Sequence, residues 1–160
     1  MADSATDGRT RVYSVPSISN IAAPTVAELN AGTDLSSLIT PDGLVGLQAE
    51  TADVDNSALN STFTTNTRGR ISYSGTGLRM KKQAGTDTVY NTLIYGYATN
   101  LVVRRDVTSS TAWTAAQAVE VYPVTCGEVQ NQDPAPNELH KYFVPMKVST
   151  QPNLRATVAA

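Results

Sequence analysis

Two candidate β-strands near the middle of the chain constrain the fold most. Residues 101–103 are Leu-Val-Val, a short apolar run dense in β-branched residues, and residues 118–124 alternate in part between apolar and polar side chains. A side-chain period of two is what a half-buried strand requires. A polar connection with the single tryptophan, Trp113, joins the two strands. The stretch from Asn100 to Glu128 therefore predicts neighbouring strands, either at the centre of a β-sandwich or in one wall of a barrel that assembles with copies of itself.

The composition fits one small β-rich domain. A chain of 160 residues is expected to form a single domain with an independent core. Charged residues make up 16% of the chain, and the formal net charge is −2. This weak acidic balance disfavours a nucleic-acid-binding surface, which is usually basic. It still allows DNA to pass nearby without being held.

No targeting or membrane-spanning segment is predicted. The first ten residues are small and polar, which differs from a signal peptide and indicates a flexible arm. No apolar run approaches the length of a membrane span. The single cysteine, Cys126, cannot form an internal disulfide. We therefore expect a protein that folds in a cytoplasm and has no membrane partner.

Local signals predict two helices. Thr25, with Glu28 three residues later, forms a capping box and predicts a short helix from Val26 to Ala31. Asp87 is a candidate N-cap for the one substantial helix, about Asp87 to Tyr95, which would pack on the sheet. The apolar residues of that second helix would share one face: Val89, Tyr90, Leu93 and Ile94.

Further strands are predicted at residues 11–15, 44–54, 77–82 and 141–148. Pro41-Asp42-Gly43 predicts a turn before the second of them. Pro145 cannot donate a ladder hydrogen bond, so it predicts an edge or a bulge in the last strand. The long polar segment from Asp55 to Gly75 indicates either a mobile surface loop or an arm that orders on meeting a partner, with part of it as an extended hairpin.

Residues suited to catalysis or metal binding are scarce. His140, the single histidine, precedes a predicted strand and is interpreted as a surface residue rather than a general base. Cys126 is interpreted as a small buried hydrophobe, although sequence alone leaves a Cys–His pair open. Asp53 and Asp55 lack the glycine and the glutamate of a calcium loop. No catalytic, cofactor-binding or metal site is therefore predicted, and a structural or binding role is favoured over an enzyme.

A compact charge cluster, Arg104-Arg105-Asp106, lies at the end of the first central strand. The simplest interpretation is a solvated rim. The alternative is a salt bridge across a subunit boundary, which would stabilise little unless it were buried.

Four stretches carry a resemblance through their order and spacing. They are APTVAELNAGTDLSSLI at 23–39, TRGRISYSGTGLRMKKQAGTDTVYNTL at 67–93, NLVVRR at 100–105 and AVEVYPVTCGEVQNQDP at 118–134. Together they resemble the major tail tube protein of long-tailed bacteriophages, especially siphophages of Gram-positive hosts. The resemblance implies a mostly β fold, a small β-sandwich or barrel with one flanking helix and long loops, in a single domain over residues 1–160.

The resemblance also implies an assembly. Six copies would form a ring in which four strands per copy join one inner β-barrel, and rings would stack into a tube for the tape-measure protein and, at ejection, the genome. The protein would lie in the virion tail after assembly in the host cytoplasm, with other tail proteins as partners and no cofactor. A weak negative charge suits a conduit that releases DNA. Glu120 and Glu128 are the candidates for negative charge in the lumen.

Three segments are predicted to make contacts between copies. Residues 44–75 would be a stacking arm between rings, and the N-terminal arm (1–10) and the C-terminal tail (149–160) would contact neighbours. Two alternatives stay open: another β-rich virion component, such as a tail terminator or a decoration protein, and a carbohydrate-binding β-sandwich in which Trp113 would contact the sugar. An enzyme is the least favoured class.

Overall fold

The computed structural model describes residues 2–160, which fold into eleven strands and two five-residue helices. The strands are β1 Arg11–Val15, β2 Thr33–Asp34, β3 Ile39–Val45, β4 Glu50–Asp55, β5 Asn66–Ser72, β6 Gly77–Lys81, β7 Ala98–Arg104, β8 Ala118–Cys126, β9 Gln130–Asn131, β10 Lys141–Val148 and β11 Asn153–Thr157. The helices are α1 Val26–Asn30 and α2 Thr88–Thr92. In residues 2–160, neither helix has the length or the apolar character needed to cross a membrane.

Nine strands form one antiparallel sheet that curls into a half-barrel. Its main path runs β2-β1-β7-β8-β10-β6-β3, so that β2 and β3 lie at the two ends. β8 pairs with β11 along its first half and with β10 along its second half. The prediction of a mostly β fold is confirmed, and β7 and β8 are the neighbouring central strands that the sequence indicates.

Apolar side chains cover both faces of the central strands, because successive residues of a strand point to opposite sides. Leu101 and Val103 of β7 lie in the main core inside the half-barrel, with Tyr122 and Tyr142. Val102 points the other way into a second core on the outer face. The second core also contains Val15, Leu29, Trp113, Val119, Val121, Ala156 and Val158.

The second helix is shorter than predicted. Asp87 is its N-cap and accepts a hydrogen bond from the Tyr90 backbone N–H, but the helix spans only Thr88–Thr92. The chain leaves the helix at Leu93 because it must enter β7, and the Gly96 N–H is fixed to the carbonyl of Cys126 at the end of β8. Leu93 is buried as expected, whereas Ile94 and Tyr95 are exposed.

The predicted strand at 44–54 is two strands, β3 and β4, with a turn between them. Pro41-Asp42-Gly43 is not a separate turn but an irregularity inside β3, where the register against β6 shifts between Ile39 and Leu44. The Asp42 carboxylate accepts a hydrogen bond from the Thr40 hydroxyl at 3.0 Å. A Cβ on Gly43 would lie 2.4 Å from the Arg79 carbonyl oxygen, so only glycine fits this crossing.

Pro145 lies where β10 changes partner. Residues 141–145 of β10 pair with β6, and residues 146–148 pair with β8. The Pro145 carbonyl accepts a hydrogen bond from the Gly127 N–H at 2.7 Å. Pro145 was expected at an edge or a bulge, but it marks a partner change within an interior strand, where its missing N–H is tolerated.

Both terminal segments are held to the body of the chain. The predicted N-terminal arm covers residues 1–10, of which Met1 lies outside the described residues. Within this arm, the Gly8 carbonyl accepts a hydrogen bond from the Ser109 N–H at 2.8 Å. In the segment 149–160, β11 pairs with β8, and the Ala159 N–H donates to the Pro24 carbonyl at 2.8 Å.

The predicted capping box fixes α1. Thr25 Oγ1 accepts from the Glu28 N–H at 3.2 Å, and Glu28 Oε2 accepts from the Thr25 N–H at 2.9 Å. Glu28 Oε1 also accepts from the backbone N–H and the hydroxyl of Ser19. These bonds, first among them the one from the Thr25 N–H, lower the pKa of Glu28 from 4.5 to about 2. The box thereby positions Leu29 in the second core.

We expect Glu28→Gln to remove part of the acid sensitivity of the fold. Because the folded-state pKa of Glu28 lies below its ordinary value, its stabilising contribution is complete above pH 4.5 and is lost as the pH falls toward 2. Urea midpoints at pH 7 and pH 3 should therefore differ less for Glu28→Gln than for the unmodified protein or for Glu50→Gln, a control in exposed β4. Equal acid losses in all three proteins would contradict this explanation.

Candidate functional site

Four adjacent strands, β7, β8, β10 and β6, present one solvent-facing surface. Residues directly opposite each other in an antiparallel pair share a face, and the pairs Asn100–Pro123, Thr125–Lys147 and Phe143–Arg79 are in register. Their neighbours along the strands are buried in the main core. We call this surface the open sheet face; its residues are Lys81, Arg79, Lys141, Phe143, Pro145, Lys147, Thr125, Pro123, Asn100 and Ala98.

The charge of the open sheet face is basic. Arg79, Lys81, Lys141 and Lys147 lie on it. Two of them have acidic partners, since Arg79 lies 3.3 Å from Asp42 and Lys141 lies 3.6 Å from Glu138. None of the ten residues of the open sheet face is acidic.

Glu120 does not share the open sheet face. It lies opposite Val103, on the side of the main core. Its carboxylate accepts hydrogen bonds from Arg105 Nε at 3.0 Å and from the Tyr122 hydroxyl at 2.9 Å. The hydrogen bond from Arg105 raises the arginine pKa, and the charge of Glu120 is compensated within its own chain. Glu128 is exposed just beyond β8, and its role in a lumen stays a prediction.

The β7–β8 connection folds around a buried arginine. The Arg104 guanidinium donates to the carbonyls of Thr108 and Thr111 at 3.0 and 2.9 Å and to Gln117 Oε1 at 3.1 Å. Burial, followed by the nearby charge of Arg11, lowers its pKa. The solvated-rim interpretation is thus wrong for Arg104.

Trp113 is a core residue of this connection. Its ring is 4% exposed, and the guanidinium carbons of Arg104 and Arg11 lie 4.8 and 5.0 Å from the ring centroid. The Tyr13 ring meets it edge-on at 5.2 Å. Because Trp113 is buried, it is not available as a sugar contact.

Strands β4 and β5 form a separate two-stranded sheet, the β4–β5 hairpin. Every residue of β4 is exposed, and in β5 only Gly69 is partly buried. An isolated hairpin of this kind is marginally stable in water. The long segment that the sequence identifies as a loop or an arm is therefore largely this projecting hairpin.

The hairpin tip, residues 56–65, is ordered by its own hydrogen bonds. The Asn56 N–H donates to the Thr65 carbonyl at 3.0 Å, and the Thr65 N–H donates to the Ser57 hydroxyl at 2.8 Å. The Phe63 N–H donates to the Ser61 hydroxyl at 3.1 Å. This ordered tip exposes two large apolar side chains, Leu59 at 106% and Phe63 at 75%.

Two glycines close the base of the hairpin. Gly46 and Gly75 both have positive φ, 72° and 65°, and the Thr76 hydroxyl donates to the Gly46 carbonyl at 2.7 Å. A Cβ on Gly46 would lie 2.5 Å from the Gly75 backbone, whereas a Cβ on Gly75 would meet nothing within 4 Å. The two strands that carry the hairpin can approach this closely only because position 46 has no side chain.

We expect Gly46→Ala to be clearly more destabilising than Gly75→Ala. Gly75→Ala introduces only a left-handed alanine, which costs roughly 1–2 kcal/mol. Gly46→Ala has the same conformational cost and adds a backbone clash, which should cost a further 1–3 kcal/mol or so. Urea unfolding of both variants measures the difference. Equal losses would show that the base of the hairpin can separate freely.

A groove of about 910 Å³ lies between β3 on one side and β1 with the N-terminal arm, residues 6–10, on the other. The half-buried apolar residues Ile39, Leu44 and Leu47 line it, together with Val12 and Arg79. The outer side of β3 is unpaired, because β3 ends the sheet. The groove thus combines apolar side chains with free main-chain groups.

The residues considered for catalysis or metal binding are not brought together. Cys126 pairs with Met146, and His140 precedes Met146 by six residues, so the two side chains lie roughly 20 Å apart along the sheet. Burial raises the pKa of the Cys126 thiol to about 11. Asp53 lies opposite Arg68 in the hairpin. Within residues 2–160, no three His, Cys, Asp or Glu side chains cluster as metal ligands would.

Comparisons with known proteins identify a family for the chain and a solved structure with a similar fold. A family model described as phage tail tube protein matches residues 1–160. A chain from a cryo-EM structure of the anti-feeding prophage (AFP) baseplate, 6-fold symmetrised, has a similar fold, with a TM-score of 0.64, 10% sequence identity and coverage of 98% of each chain. No curated protein sequence matches the chain.

Proposed function

The chain belongs to the phage tail tube protein family, whose members are structural proteins of the virion tail, and from this premise we propose that six copies form a ring and that the rings stack into the tube. The tape-measure protein would occupy the lumen during assembly, and the genome would pass through it into the host. Assembly would take place in the host cytoplasm. The observation that carries the proposal is the combination of a four-stranded open sheet face with a projecting, exposed hairpin.

The open sheet face is the proposed wall of the lumen. The main core packs one side of its four strands, and on the other side the second core covers the part of β7 and β8 that contains Val102 and Val121. Six copies that each turn these four strands toward the axis would line the lumen with roughly 24 strands, and barrels of this order enclose a wide lumen. Because β1 and β3 flank these strands within each chain, neighbouring copies would meet through the flanking elements and not through β7 or β6.

The lumen charge would come from the lysines and arginine of that face. After pairing of Arg79 with Asp42 and of Lys141 with Glu138, Lys81 and Lys147 contribute the remaining positive charge. DNA would pass without specific binding, since lysine–phosphate contacts read no sequence and weaken as salt rises.

The β4–β5 hairpin is the proposed stacking arm between rings. Its exposed apolar residues, Val54, Leu59, Phe63 and Ile71, would be buried only against another copy. The N-terminal arm (1–10) and the tail (149–160) are proposed to add contacts between neighbours. Heterologous contacts of this type close a ring in one direction and extend a filament in the other.

Negative-stain electron microscopy of the purified protein over a concentration series tests the proposal. Hollow tubes or stacked six-fold rings are the expected result. Single rings that never stack would favour a tail terminator, and trimers or monomers at every concentration would favour a decoration protein. Glycan-array binding without assembly would favour a carbohydrate-binding module.

A further inference from the structure

The tip of the β4–β5 hairpin has the properties of a preformed docking element. Its hydrogen bonds fix the backbone around Ser57 and Ser61 before any partner is present. Two large apolar side chains, Leu59 and Phe63, nevertheless face solvent. An ordered loop that presents apolar anchors loses little conformational entropy on binding, which favours association.

The tip does not occupy the groove of its own chain. The hairpin begins at Glu50, two residues after Gln48 on the wall of the groove, and β4 then extends through solvent for six residues, roughly 20 Å. Leu59 and Phe63 are exposed at the far end. The position of the hairpin therefore directs the tip toward another molecule.

The groove offers what such a tip needs. Ile39, Leu44 and Leu47 provide half-buried apolar surface, and the volume of about 910 Å³ leaves room for two large side chains. The unpaired outer side of β3 can hydrogen-bond the main chain of an incoming extended segment.

Charges of both signs lie on the two surfaces, since Asp7 and Asp42 line the groove as well as Arg79, and Arg68 lies opposite Asp53 in the hairpin. Asp53 and Asp55 lie on the half of β4 nearest the tip, and Arg79 lines the groove. Arg79 is held only by an exposed pair with Asp42, which is weak and can exchange for another carboxylate.

We propose that the groove between β3 and β1 receives the hairpin tip of a second copy of this chain, with Leu59 and Phe63 as its anchors. The proposal rests on the self-assembly put forward above and adds the acceptor surface to it. Each copy thereby carries both the donor and the acceptor, which makes the contact repeat along a filament.

Disulfide trapping tests this contact. Thr64→Cys, beside the anchor Phe63, and Gln48→Cys proteins are purified separately under reducing conditions, mixed at a concentration that supports assembly, and oxidised. Leu139→Cys, at another exposed position that does not line the groove, is the control for Gln48→Cys. Native Cys126 is buried and is not expected to form a disulfide in this experiment. A disulfide forms only when the two Cα atoms come within roughly 4.4–6.8 Å.

We expect at least about tenfold more mixed dimer from Thr64→Cys with Gln48→Cys than from Thr64→Cys with Leu139→Cys. Attaching a bulky maleimide to Gln48→Cys should also block stacking, whereas the same group on Leu139→Cys should not. Tubes that form without preferential trapping, or despite the bulky group, would overturn the acceptor assignment and leave the proposed function standing; a different protein segment would then occupy the groove. Absence of assembly by the unmodified protein at every concentration would overturn both.

Discussion

Replacing Leu59 and Phe63 together by serine is expected to raise the protein concentration needed for tube formation by about 100-fold or more. Burial of a large apolar side chain contributes roughly 1.5–3 kcal/mol, so two anchors contribute about 3–6 kcal/mol to each contact between copies. Every 1.4 kcal/mol or so changes an association constant tenfold. Sedimentation of assembled material over a dilution series measures the shift.

The free subunit should keep its stability in this double variant, because both side chains are exposed and contribute little to the isolated fold. A matched double variant, Leu139→Ser with Ile94→Ser, removes two exposed apolar side chains outside the proposed contact segments and should assemble normally. If the Leu59→Ser, Phe63→Ser variant forms tubes at the same concentration as the unmodified protein, the apolar tip is not part of the contact.

Replacing Trp113 by alanine should lower the free energy of unfolding by about 3–5 kcal/mol, the range usual for loss of a buried tryptophan. The ring fills the second core and contacts the two arginines, and its removal would leave the guanidinium of Arg104 beside a cavity. The loss should be seen by urea unfolding monitored by circular dichroism, since the tryptophan signal itself is removed.

Tyr95→Ala, at an exposed aromatic residue after α2, is the control and should change stability by no more than about 0.5 kcal/mol. A cost below about 1 kcal/mol for Trp113→Ala would mean that the β7–β8 connection is loosely packed. That result would also reopen Trp113 as a surface contact for a ligand.

Much of the fold is predictable from local patterns. Alternation identifies β1 and β10 with their observed bounds, and the Thr25–Glu28 capping box identifies α1. These features depend on residues close in sequence, so no tertiary information is needed. The length of α2 was overestimated because its apolar spacing continues to Ile94, whereas the chain turns toward β7 at Leu93 through a contact with distant Cys126.

The surfaces proposed for assembly were only partly predictable. A long polar segment indicates an arm, but its order depends on hydrogen bonds among Ser57, Ser61 and Thr65 that leave no periodic pattern. The sequence feature that could have indicated a contact surface there is the presence of Leu59 and Phe63, two large apolar residues isolated in that polar stretch. Burial of Arg104 was unpredictable, because it requires the connection after β7 to fold back over the strand.

Cryo-electron microscopy of tubes grown from the unmodified protein tests the central claim most directly. The expected reconstruction has six copies per ring, the open sheet face with Phe143 and Lys147 toward the axis, and the β4–β5 hairpin inserted between successive rings. A reconstruction with that face on the outside of the particle, or with the hairpin free in solvent, would contradict the account.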